Sequence, residues 1–294
     1  MLWRLAAPNV AAVVIMSVVT FADALFVGKL GTAPLASLAL VYPFQTLMIM
    51  MAGGAIGGAA TSSVARALGS GSIEKAEAAA WHAVIIAGLM SVIFVLALGI
   101  SSRQIFSLLG GTGEALDGAV LYSGIAFGVS AAIFVLWILA SILRGTGDTA
   151  TPARVIFIGS VVQIFLSGAL TLGWGPFPII GIAGPATSMV FCQSCMAIYL
   201  AMYLIKGKTI IRLRVQLIQR DPLADIMKVG GVGLINSVTV AATVIVVTGV
   251  VGHFGTEALA GYGLGSRLEL MLIPIIFVCG AALTAAVGAN IGAG

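Results

Sequence analysis

The stretch GKLGTAPLA at residues 28–36 decides the fold, because it returns as GHFGTEALA at residues 252–260. Gly, Gly, Thr, Leu and Ala occupy the same places in both copies, 224 residues apart. Matches continue downstream after the loss of one residue: Gly57, Ala59, Thr61, Val64, Gly69 and Gly71 correspond to Gly280, Ala282, Thr284, Val287, Gly292 and Gly294. A period this long predicts a duplicated unit of several helices, not a solenoid of short repeats.

The composition is typical of a membrane protein. Hydrophobic residues make up 60% of the chain and charged residues only 8%, against about 25% charged residues in ordinary globular domains. The mean hydropathy is +1.17, and several apolar runs exceed the roughly 18 residues that suggest a membrane span. Backbone groups in lipid must be satisfied within the segment, and the alternating pattern of a membrane barrel is absent. We therefore expect an all-α polytopic membrane protein.

Eight spans are predicted from the apolar runs. They cover about residues 5–27, 33–66, 79–100, 118–143, 152–173, 179–205, 229–251 and 258–291. Pro43 removes one donor from the helical ladder, so it predicts a kink in the long second span. Thr151 as cap and Pro152 at the first helical position are expected to start the fifth span. No cleavable signal peptide is expected, because the first apolar run leads directly into the repeat.

The basic residues predict the orientation. Eleven of the fourteen lie on the same side as the amino terminus: Arg4, Arg66, Lys75, Arg144, Arg154, Lys206, Lys208, Arg212, Arg214, Arg220 and Lys228. By the positive-inside rule this side, including the amino terminus, is cytoplasmic. The loop charges therefore do not argue for a nucleic acid partner, although contact with anionic lipid headgroups is compatible with them.

The repeat and the topology together indicate a transporter. The chain divides into an N-terminal six-helix lobe at 1–206, a cytoplasmic connector at 207–228 and the first two helices of a C-terminal lobe at 229–294. Because six spans separate the two copies, the second copy enters the membrane in the same direction as the first. Parallel repeats about an axis along the membrane normal are found in alternating-access transporters. Since only two helices of the second lobe are present, we expect the chain to be truncated.

Four segments follow one another in a recognisable order and spacing. They are residues 23–36, LRGTGDT at 143–149 with Pro152, the turn at 173–187 and TEALAGYG at 256–263. Together they resemble the multidrug and toxic compound extrusion (MATE) family, closest to its DNA-damage-inducible bacterial branch. The resemblance spans essentially the whole chain. It implies a two-lobed, monomeric antiporter of the bacterial inner membrane that expels cationic or amphipathic compounds in exchange for protons or sodium, without a cofactor.

Asp23 is the leading candidate for ion coupling, because it is an acidic residue inside the first apolar run. A carboxylate near the centre of a span costs about 2.5–3.5 kcal/mol on insertion scales, and desolvation favours its protonated form. Protonated it is neutral, whereas ionised it attracts a cation, so proton and cargo exclude one another. We expect its carboxyl near the seam between the lobes. The alternative is an interfacial carboxylate, because Asp23 lies little more than one turn from Gly28. The resemblance supports the coupling role.

In the fifth span the sequence departs from the family pattern. Many members place an Asn and, four residues later, an Asp there, whereas this chain has Gln163 and Ser167. We expect a cation or proton site built from Asp23, Gln163, Ser167, Thr187 and Tyr122. A site with a single negative charge favours proton coupling over tight sodium binding. Ordinary interhelical hydrogen bonds are the alternative role for Gln163 and Ser167.

Two pairs of residues are weaker cavity candidates. Met48 and Met51 offer adaptable thioether chains for a promiscuous cavity, but such methionines more often contact lipid or core. Arg267 and Glu269 lie in the eighth span, two residues apart, so they do not share a helix face. Each therefore needs another partner or water in the cavity.

The histidines and cysteines do not predict a metal or redox site. His82 and His253 stand alone at span ends without ligand spacing, so we expect interfacial positions for them. Cys192 and Cys195 have redox-motif spacing but lie in an apolar helix, where small packing residues are expected. Cys279 also falls in an apolar run, so there is no secreted disulfide framework.

Three other classes of protein are alternatives. A lipid-linked oligosaccharide flippase of the same superfamily would need a cationic cavity, for which Arg267 is the candidate. A membrane-embedded enzyme lacks a clustered constellation of His, Cys or carboxylates in this sequence. A purely structural bundle would have no need of Asp23 or Glu269.

Overall fold

The computed structural model describes residues 2–270 and Val287, with side chains over 14–266 and at Val287. Its helices are α1 Leu2–Gly28, α2 Thr32–Ile49, α3 Gly57–Gly69, α4 Ile73–Phe94, α5 Ser102–Leu108, α6 Gly113–Gly128, α7 Ser130–Gly145, α8 Ala150–Leu172, α9 Ala183–Ile205, α10 Arg220–Gly252 and α11 Thr256–Leu270. Two π-helical segments, Met50–Ile56 and Val95–Ile100, join α2 to α3 and extend α4. The predicted all-α membrane fold is confirmed over this part of the chain.

Most predicted spans correspond to helices long and apolar enough to cross a membrane. Within the described residues there are five such helices, or six when α6 and α7 count as one broken span. The part of α1 with described side chains, Val14–Gly28, is an apolar helix shorter than these five. The predicted eighth span begins as α11, and its remainder at 271–291 lies outside the described residues apart from Val287.

The repeated sequence forms the same turn twice. In the first copy α1 ends at Gly28 and α2 begins at Thr32, while in the second α10 ends at Gly252 and α11 begins at Thr256. The fourth residue of each turn, Gly31 or Gly255, donates its N–H to the carbonyl of the first, Gly28 or Gly252, at 3.3 and 3.2 Å. Gly31 and Gly255 have positive φ, 126° and 106°, where glycine avoids the steric cost of a side chain. The duplication is therefore present in the structure as well as in the amino-acid sequence.

The two copies run in the same direction and meet on their symmetry axis. Asp225 near the start of α10 contacts Arg66 near the end of α3, while Gly252 at the end of α10 packs on Gly110, before α6. On α11, Gly263 packs against Ala39 of α2, its own counterpart 224 residues earlier. A contact between equivalent residues is expected where a twofold axis passes. The predicted parallel repeat is thus confirmed.

Several predicted boundaries are corrected by the structure. Thr151 is not the cap of α8: it lies in the first turn, and its N–H donates to the Asp148 carboxylate at 3.0 Å. Pro43 lies inside α2, and the change of helical geometry comes later, at the π segment Met50–Ile56. The predicted fourth span is two helices bent by 49° on either side of Val129.

The connector is also shorter than predicted. The helix α10 begins at Arg220, nine residues before the predicted start of the seventh span at Val229. Asp221 in its first turn supports this earlier start, because acidic side chains favour the amino end of a helix. The connector between α9 and α10 is therefore residues 206–219.

Glycines allow α10 to pack closely against the first lobe. A Cβ at Gly233 would lie 2.9 Å from the Cα of Ala55 in the π segment, and one at Gly230 would lie 3.0 Å from the Ile56 side chain. Small residues of this kind let helix backbones approach in membranes. By contrast, a Cβ at Gly231 meets nothing within 4 Å. The backbones of α10 and the π segment are therefore in direct contact near the middle of α10.

We predict that Gly233→Ala destabilises the contact between the lobes. The added methyl must displace the Ala55 backbone, and such overpacking costs typically 1–3 kcal/mol. Thermal unfolding of the purified protein in detergent should show a lowered Tm. Gly231→Ala is the matched control on the same helix and should leave the Tm unchanged or slightly raised. Equal Tm values for the two variants would contradict the packing described.

Candidate functional site

A hydrogen bond joins Asp23 of α1 to Ser167 of α8. The Ser167 hydroxyl donates to Oδ1 of Asp23 at 2.5 Å, and Ser167 is fully buried. Asp23 is half-buried and lies five residues before the end of α1. The carboxylate is thus turned towards α8, and bonds to an ionised acceptor are the stronger kind. A hydroxyl donor here stabilises the ionised form without adding a second charge.

An aromatic pair covers this contact on the side of the α1–α2 turn. The rings of Phe26 and Trp174 meet edge to face, with centroids 5.2 Å apart. Gly168, next to Ser167, provides the space, because a Cβ there would lie 2.5 Å from the Trp174 ring and 3.1 Å from Phe26. The sequence did not single out either aromatic residue. The two rings therefore pack over Gly168, beside the Asp23–Ser167 pair.

Gln163 and Thr187 lie on the two helices that flank the site. Gln163 is one turn before Ser167 on the same face of α8 and is 6% exposed. Gly184 packs on Thr171 and Gly159 on Met196, so α8 and α9 are antiparallel. This register puts the half-buried Thr187 at about the level of Ser167. These positions are compatible with the predicted site, and their role in it stays a prediction.

Tyr122 belongs to a second polar contact inside the same lobe. Gln45 of α2 donates to the Tyr122 hydroxyl of α6 at 2.9 Å, and its amide lies 3.5 Å from the Met189 sulfur of α9. Tyr122 is 2% exposed. Sequence reasoning missed Gln45, although a lone amide in an apolar run was a usable signal. The predicted proximity of Tyr122 to Asp23 stays a prediction.

The remaining candidates are distributed differently. Met48 is 1% exposed and packs in the hydrophobic core, which is the alternative role considered for it, whereas Met51 is half-buried in the π segment. Arg267 and Glu269 belong to α11, but their side chains lie outside the described residues. Cys192 is buried and Cys195 is exposed, and both are free thiols; Cys279 lies outside the described residues.

The lobes meet along α2, the π segment Met50–Ile56 and α3 on one side and α10 and α11 on the other. Asp23 therefore lies within the first lobe, between α1 and α8, and not on this main contact, which corrects the expectation that its carboxyl lies near the seam between the lobes. However, α1 also touches α11. Helix α1 therefore carries Asp23 and also contacts the second lobe through α11.

A network of polar side chains joins the lobes at the predicted cytoplasmic end. Nη2 of Arg66 lies 2.9 and 2.7 Å from the two carboxylate oxygens of Asp225, and Ser63 donates to the same carboxylate at 2.7 Å. The two charged side chains are 30% and 44% exposed. A pair this accessible is worth up to about 1 kcal/mol. An ion pair of this strength can shift the balance between two conformations, and it can also break readily.

His82 is buried among the helices of the protein, and its expected position at a membrane interface stays a prediction. The ring is fully buried on α4, and Nε2 accepts the backbone N–H of Gln219 at 2.8 Å. Nδ1 lies 2.7 Å from the Ala78 carbonyl, so it is the nitrogen that carries the proton. The imidazole therefore ties the start of α10 to the first lobe. Within the described part of the chain, no group of three His, Cys, Asp or Glu side chains could hold a metal ion.

Relatives with known names share this architecture. A family model described as MatE matches residues 8–167. The FAD transporter of Shewanella oneidensis is 28% identical over 100% of this chain and 65% of its own length. A probable multidrug resistance protein, NorM, of Thermotoga maritima is 26% identical over 99% of this chain and 63% of its own. The crystal structure of a MATE protein in complex with MaD3S superposes with a TM-score of 0.86 at 25% identity, covering 99% of this chain and 66% of that one.

The chain therefore spans about two thirds of the length of these relatives. The match begins within α1 and ends at Ser167. It therefore includes the first copy of the repeated turn and both residues of the Asp23–Ser167 pair. Together with the parallel helical lobes, it identifies the chain as a member of the MatE family of membrane efflux transporters.

Proposed function

We propose that the whole protein is a secondary antiporter that exports cationic or amphipathic drugs or metabolites across a bacterial plasma membrane. The observation that carries the proposal is the Asp23 carboxylate, held by Ser167 inside the first lobe. Protons, or alternatively sodium ions, enter as the compound leaves, and no cofactor takes part. The amino terminus lies in the cytoplasm, as the basic loops predict.

Competition at Asp23 links the two movements. An ionised carboxylate in a membrane span is costly, so it is occupied by a proton or balanced by a cation. When cargo requires the ionised form, cargo binding expels the proton, and proton uptake expels the cargo. Neither ligand crosses alone, because each must be released before the other binds.

The donors around Asp23 support protons as the driving ion. Ser167 and Gln163 supply neutral oxygens where many relatives of the family pattern have a second carboxylate. A sodium ion prefers several charged or strongly polar oxygens, whereas a proton needs only one carboxylate. Thr187 and Tyr122 are proposed as further polar groups of the same site.

Alternating access is proposed to occur at the contact between the lobes. The Arg66–Asp225 pair lies at the cytoplasmic end of this contact, and Gly252 packs on Gly110 at the opposite end. Opening one end while the other stays closed requires the pair to break in each cycle. Its half-exposed charges make this inexpensive.

Flavin nucleotide export is a second candidate function. It is favoured by the 28% identity over the full length of this chain to a protein named as an FAD transporter. An anionic cargo would need basic groups in the second lobe, and Arg267 is the candidate in this chain. The relatives reported above are named for drug resistance or FAD transport, so the oligosaccharide flippase gains no support. Membership of the DNA-damage-inducible branch stays a prediction.

We predict that Asp23→Asn abolishes gradient-driven efflux while leaving expression and folding intact. The amide keeps the shape and accepts the Ser167 hydrogen bond but cannot exchange a proton. Dye efflux by everted vesicles should fall to the background of vesicles without the protein. Asp117→Asn, which alters an exposed carboxylate paired with Arg103 at 3.0 Å, is the matched control. Undiminished efflux by the Asp23 variant would refute the coupling role.

Separate gradients should identify the driving ion and the cargo class. In vesicles, a pH gradient alone should drive efflux of a lipophilic cationic dye, and a proton uncoupler should stop it. Efflux driven by a sodium gradient at fixed pH and insensitive to uncouplers would contradict proton coupling. Parallel assays with FAD distinguish the two candidate functions, because export of FAD without export of the cation would favour the second.

We predict that Asp225→Asn shifts the protein towards a form open on the cytoplasmic side. Loss of a pair worth up to about 1 kcal/mol changes the ratio of two conformations by up to about fivefold. Spin labels at Ser70→Cys and Asp221→Cys, in a variant without the native cysteines, would report the distance across this end. The long-distance population should grow.

Asp117→Asn breaks an ion pair within the first lobe and is the matched control for this measurement. Its distance distribution should equal that of the parent protein. Identical distributions for Asp225→Asn and Asp117→Asn would show that the pair does not hold the lobes together.

A further inference from the structure

Residues 206–219, here called the strap, form the connector from α9 to α10. Most of the strap has no regular secondary structure, and it carries four basic residues, with Arg220 following directly. The sequence KGKTIIRLRVQLIQR at 206–220 contains no acidic residue. Because α9 and α10 are membrane spans, the strap lies at the membrane surface on the side that the basic loops mark as cytoplasmic.

The strap has an inner and an outer face. Ile211 is fully buried and Leu213 is half-buried, whereas Arg212 and Arg214 between and after them are exposed. Beyond Leu213 the alternation ends, because the side chains from Arg214 to Ile218 are exposed apart from the half-buried Gln216. The exposed side chains of the strap, here called its outer face, include large aliphatic ones. Their exposed fractions are 62% for Ile210, 82% for Val215, 87% for Leu217 and 72% for Ile218.

Hydrogen bonds fix the inner face against the first lobe. The backbone N–H of Arg212 donates to Oε1 of Glu77 at 2.8 Å, and that of Gln219 donates to the buried His82. Also in the middle of the strap, the N–H of Leu213 reaches the Leu204 carbonyl at 3.4 Å. The strap is therefore anchored in its middle and at its end, which fixes the orientation of the segment between these two points.

The outer face combines two properties that fit one kind of surface. Four exposed aliphatic side chains are unfavourable in water and favour an apolar environment. Arginines and lysines on the same face attract anionic groups. Aliphatic and basic side chains together are the pattern of segments that lie in the interfacial layer of an anionic membrane. The flanking spans already hold the strap at that depth.

We propose that the strap is a binding surface for the anionic lipids of the cytoplasmic leaflet. Arg212, Arg214 and Arg220 contact lipid phosphates, while Val215, Leu217 and Ile218 insert at the boundary with the acyl chains. The bond to Glu77 is made by the backbone of Arg212, whose exposed side chain packs over Gly207 at the start of the strap. The proposal does not depend on which compound the transporter carries.

Fluorescence quenching in reconstituted vesicles tests the proposal. An environment-sensitive fluorophore is attached at Leu217→Cys in the intact chain, with Cys192, Cys195 and Cys279 replaced by Ala. The vesicles contain phosphatidylcholine with or without phosphatidylglycerol, and a nitroxide-labelled lipid is the quencher. We expect strong quenching in anionic vesicles. Arg212→Gln with Arg214→Gln should reduce it to the level of neutral vesicles, because each basic residue strengthens adsorption about fivefold.

Two controls separate this outcome from general effects. Lys75→Gln with Lys228→Gln removes the same charge from the same side outside the strap and should leave quenching unchanged. A fluorophore at Ser70→Cys, in the exposed turn between α3 and α4, should stay poorly quenched. Quenching at 217 that equals that at 70, or that is the same in both kinds of vesicle, would overturn the proposal. If the fluorophore at residue 217 reports an aqueous environment in both kinds of vesicle, the proposal fails, and the outer face of the strap is instead open to a soluble partner.

Discussion

A hydrogen bond between Ser167 and a carboxylate inside a membrane helix is the interaction on which the functional account depends. An isolated charge in that position would be driven towards the headgroups or neutralised. Donation by a buried hydroxyl lowers the cost of the ionised form while leaving a single charge at the site. In the proposed function, proton and cation compete for this one group. Phe26 and Trp174 pack edge to face over Gly168, the neighbour of Ser167.

The duplicated hairpin supplies the two lobes whose relative movement the proposed alternating access requires. Ala39 packs on its own counterpart Gly263, so the lobes share a symmetry axis through a contact of small residues. Small residues make a surface on which helices can pivot, because few side chains must interdigitate. At the cytoplasmic end, the pair of Arg66 with Asp225 and the bond from Gln219 to His82 join the lobes by polar contacts.

Much of this could be read from the sequence. The spans followed from uncharged runs, and the repeated turn followed from GKLGTAPLA, because lipid and a glycine-dependent turn impose local requirements. Pairings across the fold could not be read in the same way. Nothing local to His82 indicates that its ring accepts a hydrogen bond from Gln219, and Thr151 satisfied the cap pattern although Asp148 fills the role. The contacts of Gln45 with Tyr122 and Met189 could not be predicted without knowing which helices are neighbours. The family resemblance indicated Ser167 as a partner of Asp23, since periodicity alone cannot pair α1 with α8.

The central claim is that proton and cargo compete for one carboxylate. The most direct test is the proton released when a lipophilic cation is added to the purified, detergent-solubilised protein in weakly buffered solution, followed with a pH-sensitive dye. The account predicts proton release that saturates with cation binding and is absent in Asp23→Asn. Cation binding without proton release, or equal release by Asp23→Asn, would contradict it.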